Sequence, residues 1–421
     1  MTNHDQQSGD DHQAGIREDV GDFLAGIKVL DFTQYLAGPA CTRLMAEMGA
    51  DVIKVEAAPA GDPTRNRTPG MNGRSGVFIQ QNRGKRSLAI DLRRPEGIAT
   101  IHELVRKVDV VVENSTPGVM ARKGLGYEDL KTVNPAIIMA SVSGFGQYGP
   151  YSDRKSFDFI AQAMSGMMHM TGDPDGPPYF VGVGIADTNA GVHAFAGIGY
   201  ALFRRDRTGR GCHIDVSMTD ALFHMHEFAV QASSITGDRS LPLRAGRHYQ
   251  PAAPAGSFRS PDGWIVILCA DQQMGFLWQA MGRQDLADDE RFITNNARLQ
   301  HREVLTEVIE GWMASLPNDQ AVLAALAAAG VPAGPVMNPA DAVDDPHFRA
   351  RGTVREIDDP HMGSFHVPGF PIRFDGHAIA PELATPSLGE HNAEILGGLL
   401  GWTDAELDAA NTTGLVVSTE F

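Results

Sequence analysis

Strand and helix patterns alternate through about the first 145 residues of this 421-residue chain, and this alternation limits the possible fold more than any other feature. An apolar run at residues 27–32, a helix pattern from Pro39 to Met48 and a second strand at residues 51–56 predict a βαβ unit. The same reasoning predicts a helix at residues 95–107 and further strands at 87–92, 108–113 and 136–142. Such alternation is typical of an α/β fold with a doubly wound, mostly parallel sheet of the Rossmann-like kind.

The length of the chain predicts two domains, because 421 residues exceed what one core usually supports. Residues 1–22 are polar, with six acids and one arginine, and are predicted to form a disordered tail without an export signal. After about residue 240, turns and a hairpin pattern replace the βα alternation. We therefore predict a large α/β domain at 23–235, a linker at 236–256, a smaller α+β domain at 257–337, and a linker with a C-terminal return to the large domain at 338–421.

Composition argues against several classes of function. The net charge of −17 disfavours a general nucleic-acid surface, since phosphate contacts need clustered lysine and arginine. No apolar run is long enough to span a bilayer, so no membrane role is expected. The three cysteines, Cys41, Cys212 and Cys269, have no paired spacing for zinc or a redox dithiol. Free thiols of this kind favour a reducing, cytoplasmic location.

One acid stands out as a candidate nucleophile. Asp187 follows the glycine-spaced segment Val181-Gly-Val-Gly-Ile-Ala and precedes a run typical of a helix start. A carboxylate there can cap the helix, or it can be partly desolvated and directed at a substrate carbonyl. The local sequence leaves both roles open, and capping is the commoner one.

Two motifs resemble cofactor or metal sites but lack the required context. Gly144-Phe-Gly-Gln-Tyr-Gly149 has the letters of a dinucleotide fingerprint, but Pro150 follows where a helix is needed. His224 and His226 are two residues apart, so their rings would point to different sides of a helix. We therefore predict neither a tightly bound cofactor nor a metal site.

Basic residues near predicted strand ends could neutralise a phosphate-rich ligand, because ligands of open α/β sheets bind at that edge. The candidates are Lys85, Arg86, Arg93, Arg122 and Lys155. The alternative that these side chains are unrelated surface charges exposed to water fits their positions equally well.

The chain resembles the class III coenzyme A transferases, the CaiB/BaiF type, which include formyl-CoA transferase. The likeness covers nearly the whole chain and rests on ordered matches, among them Gly26-Ile-Lys-Val-Leu-Asp-Phe32, Leu36-Ala-Gly-Pro-Ala40, Gly49-Ala-Asp-Val-Ile-Lys-Val-Glu56, Asn82-Arg-Gly-Lys-Arg-Ser87, Val112-Glu-Asn114, Ser143-Gly-Phe-Gly-Gln-Tyr-Gly-Pro150, Gly334-Pro-Val336 and Leu388-Gly-Glu-His391. A further match begins at Thr208 and continues to Ala221.

The resemblance implies a CoA transferase that moves CoA from an acyl-CoA to a carboxylic acid. Asp187 takes the position of the nucleophile, which forms aspartyl anhydride and aspartyl-CoA thioester intermediates. CoA is then a substrate and not a resident cofactor. CoA contacts in relatives match Gln34, Tyr35, Leu36, Ala37, Ile90, Arg93, Asn114, Arg122, Lys123 and Lys155. The family also implies an interlocked homodimer.

Other functions remain open. An acyl-CoA racemase of the same superfamily would place a histidine before an aspartate where this chain has Phe157 and Asp158. A non-catalytic CoA-binding protein would be favoured by an exposed, capping Asp187. An NAD-dependent oxidoreductase rests only on the motif at Gly144 and the sheet type.

The acceptor acid is not determined by the sequence. Oxalate is disfavoured because the glycine run ending in glutamine that oxalate-using relatives carry is not found near residues 248–256. A second substrate carboxylate could meet Arg65, Arg67, Arg244 or Arg247.

Overall fold

The computed structural model describes residues 23–375 and 383–419, so the predicted tail at residues 1–22 lies outside the described residues. The strands are β1 (Lys28–Asp31), β2 (Asp51–Ala57), β3 (Gly70–Met71), β4 (Arg74–Ser75), β5 (Lys85–Ile90), β6 (Val110–Glu113), β7 (Ile138–Ser143), β8 (Cys212–Ser217), β9 (Ala255–Arg259), β10 (Trp264–Leu268), β11 (Ala333–Pro335), β12 (Val354–Asp359) and β13 (Gly363–Pro368).

The helices are α1 (Ala37–Glu47), α2 (Gly76–Asn82), α3 (Pro95–Val105), α4 (Val119–Arg122), α5 (Tyr127–Val133), α6 (Asp158–Met164), α7 (Met167–Met170), α8 (Ile185–Thr208), α9 (Met218–Phe223), α10 (Ala229–Thr236), α11 (Met274–Met281), α12 (Asn295–Gln300), α13 (Arg302–Ala314), α14 (Asp319–Ala328), α15 (Pro339–Ala342), α16 (Pro346–Ala350), α17 (Asn392–Leu400) and α18 (Asp404–Thr412). Short 3₁₀ turns lie at Pro63–Asn66, Asp271–Gln273 and Gln284–Asp288. No described helix is both long and apolar enough to cross a membrane.

A six-stranded sheet forms the centre of the fold, in the order β5-β2-β1-β6-β7-β8. Every pairing within it is parallel. Its central strands β1 and β6 are buried on both faces, as a sheet covered by helices requires, and Leu30, Ile53 and Val111 are fully buried. The predicted α/β fold with a mostly parallel sheet is confirmed, and the strand order reverses between β1 and β6.

The edge strand β8 was not predicted. His213 and Asp215 alternate with less polar residues along it and are exposed, as edge strands allow. The long helix α8 also starts earlier than the sequence indicated. Its first residue is Ile185, where the glycine-spaced segment predicts extended chain, so Asp187 lies inside the first helical turn.

The chain divides into two compact units. The first combines the described residues up to Ser165 with Val183–Met225 and with the described residues from Asp345 onward. The second combines Gly166–Gly182 with His226–Asp344. The domain boundaries given by the sequence stay a prediction.

The second unit holds a three-stranded antiparallel sheet, β11-β10-β9, packed with helices. The predicted hairpin that turns at residues 260–263 is present as β9 and β10. Phe258, Ile265 and Ile267 face a core shared with Leu277 and Ile309.

The C-terminal helices α17 and α18 belong to the first unit. Ile395, Leu396 and Val416 join the core that also contains Leu88 and Ile90 of the central sheet. The Asn392 side chain accepts a hydrogen bond from the Ala89 backbone N–H at 2.9 Å and donates one to the Val417 carbonyl at 2.8 Å. This part of the chain therefore closes the β5 edge of the sheet.

Small residues let α8 pack closely against α1. A Cβ atom added at Gly191 would lie 2.5 Å from the Ala37 carbonyl oxygen, which is backbone and cannot move aside cheaply. Ala190 and Ala194 are fully buried on either side of it. Asp187 precedes Gly191 by one helical turn, so the same contact places Asp187 beside the start of α1.

Replacing Gly191 by alanine is expected to destabilise the protein by about 1–3 kcal/mol, because overpacking outweighs the gain in helix propensity. Gly199 of the same helix has open space around it, so Gly199→Ala is the matched control and should stabilise by about 0.5–1 kcal/mol. Urea unfolding measures both. A stabilising Gly191→Ala would contradict the close packing.

Candidate active site

A pocket of about 320 Å³ lies where the strand order reverses. Ligands of doubly wound sheets bind at this point, outside the carboxyl ends of the strands. The loops after β1, β6 and β7 meet there with the start of α8. The lining residues are Phe32, Gln34, Tyr35, Ala37, Asn114, Ser115, Thr116, Pro117, Val142, Ser143, Gly144, Arg154, Lys155, Ser156, Phe157, Asp187 and Met218.

Buried charges hold the loop after β1 in place. The Asp31 carboxylate accepts hydrogen bonds from the Thr33 backbone N–H and from the Lys85 ammonium, both at 2.9 Å. Burial acts to raise the pKa of the Asp31 carboxyl, but Lys85 and Lys54 outweigh it and lower this pKa to about 2. The Lys54 ammonium in turn donates to the Thr33 carbonyl at 2.8 Å. The loop is therefore tied to three neighbouring strands.

The next residues of the loop are fixed from β6. The Asn114 amide accepts from the Gln34 backbone N–H and donates to the Gln34 carbonyl, both at 2.8 Å. Tyr35 then has a φ of +65°, a left-handed conformation that costs energy for a bulky side chain. Its ring meets the Phe157 ring edge to face, with centroids 6.2 Å apart. The clamp at Gln34 keeps this strained residue on the pocket wall.

Asp187 is half-buried in the pocket at the first turn of α8. Within the part of the chain that the structure describes, its carboxylate accepts no hydrogen bond, although its backbone N–H donates to Asp158 Oδ2 at 3.0 Å. Burial, and then the negative charge of Asp158, raise the pKa of the Asp187 carboxyl from 3.8 to about 7. The group is thus a desolvated and unusually basic carboxylate.

The helix cap is a different residue. Gly184 occupies the N-cap position of α8, and no side-chain cap is made there. The alternative that Asp187 is a plain N-cap is therefore wrong, because Asp187 lies three residues inside the cap.

The predicted CoA contacts divide into two groups. Gln34, Tyr35, Ala37, Asn114 and Lys155 line the pocket together with Asp187. The remaining five do not line it, namely Leu36, Ile90, Arg93, Arg122 and Lys123.

The five residues outside the pocket have different surroundings. Leu36 packs against the backbone at Gly184. Ile90 is fully buried in the sheet, so its side chain is not exposed to a ligand. Arg93 is exposed and pairs with Asp91 at 2.8 Å. Arg122 and Lys123 are exposed at the end of α4.

Sequence reasoning missed several pocket residues on the loop between β7 and α6. Arg154 lines the pocket, with its guanidinium 3.8 Å from the centre of the Tyr151 ring. Phe157 also lines it, and Asp158, the first residue of α6, accepts a hydrogen bond from the Asp187 N–H. The signal available was the position after a predicted strand, which for a parallel sheet places a loop at the ligand edge.

The arginines considered for a second substrate carboxylate differ in availability. Arg65 is committed to Glu56 through two bonds of 2.7 and 2.8 Å. Arg67 is exposed, with its guanidinium 5.9 Å from the centre of the Tyr35 ring. In the second unit, Arg244 donates to the backbone at Asp173, and Arg247 pairs with Glu310. Of the two in the first unit, only Arg67 has a guanidinium without an ion-pair partner among the described residues.

The glycine motif after β7 does not open a helix. Gly146 and Gly149 adopt left-handed φ angles of +84° and +98°, and the next helix, α6, begins at Asp158. The geometry of a dinucleotide phosphate site is therefore not formed there. Among the described residues, no group of three or more His, Cys, Asp or Glu side chains is arranged to hold a metal ion.

The fold is that of a doubly wound α/β protein, and its pocket lies at the reversal of strand order. The sequence profile of CoA-transferase family III matches residues 24–392. The chain belongs to CoA-transferase family III.

Two relatives and one solved structure illustrate the similarity. Succinyl-CoA–D-citramalate CoA-transferase of Chloroflexus aurantiacus is 38% identical over 387 residues, which cover 91% of this chain and 96% of the relative. Formyl-CoA:oxalate CoA-transferase of Streptomyces avermitilis is 35% identical, covering 93% and 99%. The crystal structure of a CaiB/BaiF family protein from Brucella suis is 38% identical, with a TM-score of 0.79 and coverage of 90% of this chain and 100% of that chain.

Asp187→Asn is expected to raise the free energy of unfolding above about pH 7 and to alter it little near pH 4. The folded state holds the Asp187 proton up to about pH 7, whereas the unfolded chain loses it near 3.8, so wild-type stability falls as the pH rises between these values. The gain in unfolding free energy should be roughly 1–3 kcal/mol, allowing for solvent access to the half-buried group. Urea unfolding from pH 4 to 9 measures it.

The exposed acid Asp153 provides the control, since Asp153→Asn should show no such pH dependence. A stability difference for Asp187→Asn that stays constant across this pH range would contradict the desolvated state of the carboxyl.

Proposed function

We propose that this enzyme transfers CoA from an acyl-CoA donor to a free carboxylic acid through covalent intermediates on Asp187. The observation that carries the proposal is a carboxylate without hydrogen bonds from the described residues, half-buried in a pocket at the ligand edge of the sheet. A carboxylate stripped of solvent and of hydrogen-bond donors is a stronger nucleophile than one in water. Membership of a CoA-transferase family supports the same chemistry.

The proposed reaction conserves the energy of the thioester. An Asp187 oxygen attacks the donor thioester carbonyl and expels CoA thiolate, which leaves a mixed anhydride. The thiolate attacks the Asp187 carbonyl carbon of that anhydride, which gives aspartyl-CoA and releases the donor acid. The acceptor carboxylate then attacks aspartyl-CoA and expels the thiolate again, forming a second anhydride. Attack of the thiolate on the acceptor carbonyl releases the new acyl-CoA and restores the Asp187 carboxylate.

Residues around the pocket have distinct proposed roles in binding. The backbone of the loop at Gln34 and Tyr35 would hold the thioester end, and Lys155 would pair with negative charge on the substrate. Exposed Arg93, Arg122 and Lys123 lie outside the pocket and would meet the more distant phosphates of CoA. Ala37 and Asn114 would shape the pocket wall, and Leu36 and Ile90, which do not line the pocket, would support the backbone around it.

The donor and acceptor are proposed from chemistry and similarity together. The two relatives above are named for different pairs, succinyl-CoA with D-citramalate and formyl-CoA with oxalate, so similarity alone does not select an acid. Arg154 and Lys155 on the pocket wall favour a substrate that carries a second carboxylate. We therefore propose succinyl-CoA as donor and a dicarboxylic acid as acceptor. Phe157, rather than a histidine, precedes Asp158 in the pocket, which disfavours a racemase.

We also propose a cytoplasmic location, which the three free cysteines Cys41, Cys212 and Cys269 support.

Incubation with succinyl-CoA alone is expected to leave CoA attached to Asp187, because the first two steps need no acceptor. Intact-protein mass and peptide mapping after hydroxylamine treatment locate the modified residue. Asp187→Ala should lose the adduct and at least 10³-fold of the transfer rate, as for other covalent nucleophiles. Asp153→Ala, which replaces an exposed acid, should keep both. CoA transfer by Asp187→Ala at the wild-type rate would refute the proposal.

An interlocked homodimer is the proposed assembly. Large apolar side chains are exposed on α6 and α8 of the first unit, namely Phe159, Ile160, Val192, Tyr200 and Phe203. We propose that these exposed apolar side chains belong to an interface. A second copy of the chain is the proposed occupant, following the family likeness.

Native mass spectrometry should give twice the chain mass. Dimers carrying two different tags should not exchange subunits when mixed under native conditions, because interlocked chains cannot separate without unfolding. Exchange should follow denaturation and refolding. A monomer would refute the assembly, and rapid native exchange would refute the interlocking.

A further inference from the structure

The first turn of α8 lacks a cap from its own chain segment. A helix leaves its first N–H groups without partners inside the helix, and the N-cap side chain usually accepts one of them. Here the N-cap is Gly184, which has no side chain. The Asp187 N–H donates instead to Asp158 Oδ2 at 3.0 Å, a carboxylate at the start of α6. The cap of α8 therefore comes from another helix.

Packing explains why glycine stands at the cap position. A Cβ atom at Gly184 would lie 2.5 Å from Leu36 Cδ2 and 3.6 Å from Asp158 Oδ2. The Leu36 side chain of the loop after β1 thus occupies this space, so a capping serine or aspartate would require Leu36 to shift. A cap supplied by Asp158 is compatible with this packing.

Asp158 is itself held rigidly. Its side chain is buried, with 7% of the residue exposed, and Oδ1 accepts from Gln162 Nε2 at 2.5 Å, one turn along α6. The same Gln162 nitrogen lies 3.4 Å from the Val183 carbonyl oxygen, directly before the N-cap. The pair Asp158 and Gln162 therefore fixes both the end of the glycine-spaced segment and the first turn of α8.

We infer that Asp158 is a positioning residue: it accepts the Asp187 N–H from outside the helix and so holds the first turn of α8 with the Asp187 carboxylate facing the pocket. An acid at the third helical position, as Asp187 is, ordinarily reaches back to the N-cap N–H. In this structure that side chain lines the pocket instead. The inference rests on the proposed role of Asp187 as nucleophile.

The charge of Asp158 has a second effect on Asp187. Burial and Asp158 raise the pKa of the Asp187 carboxyl to about 7, while the cations Arg154 and Lys155 line the same pocket. A more basic carboxylate is a stronger nucleophile once it is ionised. Asp158 thus orients the nucleophile through a hydrogen bond and makes it more basic through its charge.

Two substitutions separate these effects. Asp158→Asn keeps an oxygen that can accept the Asp187 N–H but removes the charge, whereas Asp158→Ala removes both. Asp153→Asn, at an exposed acid on the same loop, is the matched control. Each is made with and without Asp187→Asn, and urea unfolding is followed from pH 4 to 9. For each background, the gain in unfolding free energy caused by Asp187→Asn is plotted against pH. The readout is the pH at which this gain stops increasing.

In Asp158→Asn this pH should fall by roughly one unit, because a like charge has been removed. The control should leave it unchanged. With succinyl-CoA and isotopically labelled succinate, the exchange rate of Asp158→Asn should begin to rise at lower pH than that of wild type. Asp158→Ala should lose at least tenfold in kcat with KM little changed, and Asp158→Asn should lose less.

A purely structural Asp158 would lower stability equally at every pH in both variants and would leave the titration of Asp187 in place. That result, or equal kcat losses in the asparagine and alanine variants, would overturn the inference. The unfolding measurement needs no substrate. Failure of the proposed function would therefore appear separately, as a wild-type protein that forms no CoA adduct but still shows the Asp158-dependent titration.

Discussion

The buried ion pair between Asp31 and Lys85 is the constraint on which the site depends. Both charges are removed from water, and a buried charge without its partner would cost about 3–5 kcal/mol. The pair joins the end of β1 to β5, and the Lys54 ammonium on β2 donates a hydrogen bond to the Thr33 carbonyl. These bonds hold the loop after β1 in the conformation that carries Tyr35 onto the pocket wall and directs the chain into α1.

The start of α1 in turn positions α8. Close contact at Gly191 brings the two helices together, and the loop residue Leu36 fills the space at Gly184. Each contact removes an ordinary source of helix stability. The contact at Gly191 excludes a residue with higher helix propensity, and the contact at Gly184 excludes a capping side chain. The result is an Asp187 carboxylate that is partly shielded from water and makes no capping hydrogen bond among the described residues. Under the proposed function, stability is sacrificed at the position where reactivity is needed, as is common at functional sites.

Much of the fold and part of the site could be predicted from the sequence. Apolar runs such as 108–113 identify buried parallel strands because they are hydrophobic on both faces. The polar edge strand β8 has no such signal. Local pattern and family likeness predict Asp187 as the nucleophile, but the hydrogen bond from its N–H to Asp158 depends on a contact between residues 29 positions apart. The surroundings of Ile90 and Arg93 likewise depend on packing that no local pattern encodes.

The central claim is that Asp187 forms covalent bonds during each cycle, and an oxygen label tests it most directly. Protein is turned over with succinyl-CoA and succinate whose carboxyl oxygens are ¹⁸O. When the acceptor's acyl group leaves the second anhydride, one of its original oxygens stays on the enzyme. The account predicts ¹⁸O in the peptide that contains Asp187, located on that side chain. Labelled succinate entering succinyl-CoA while Asp187 keeps only ¹⁶O would contradict it.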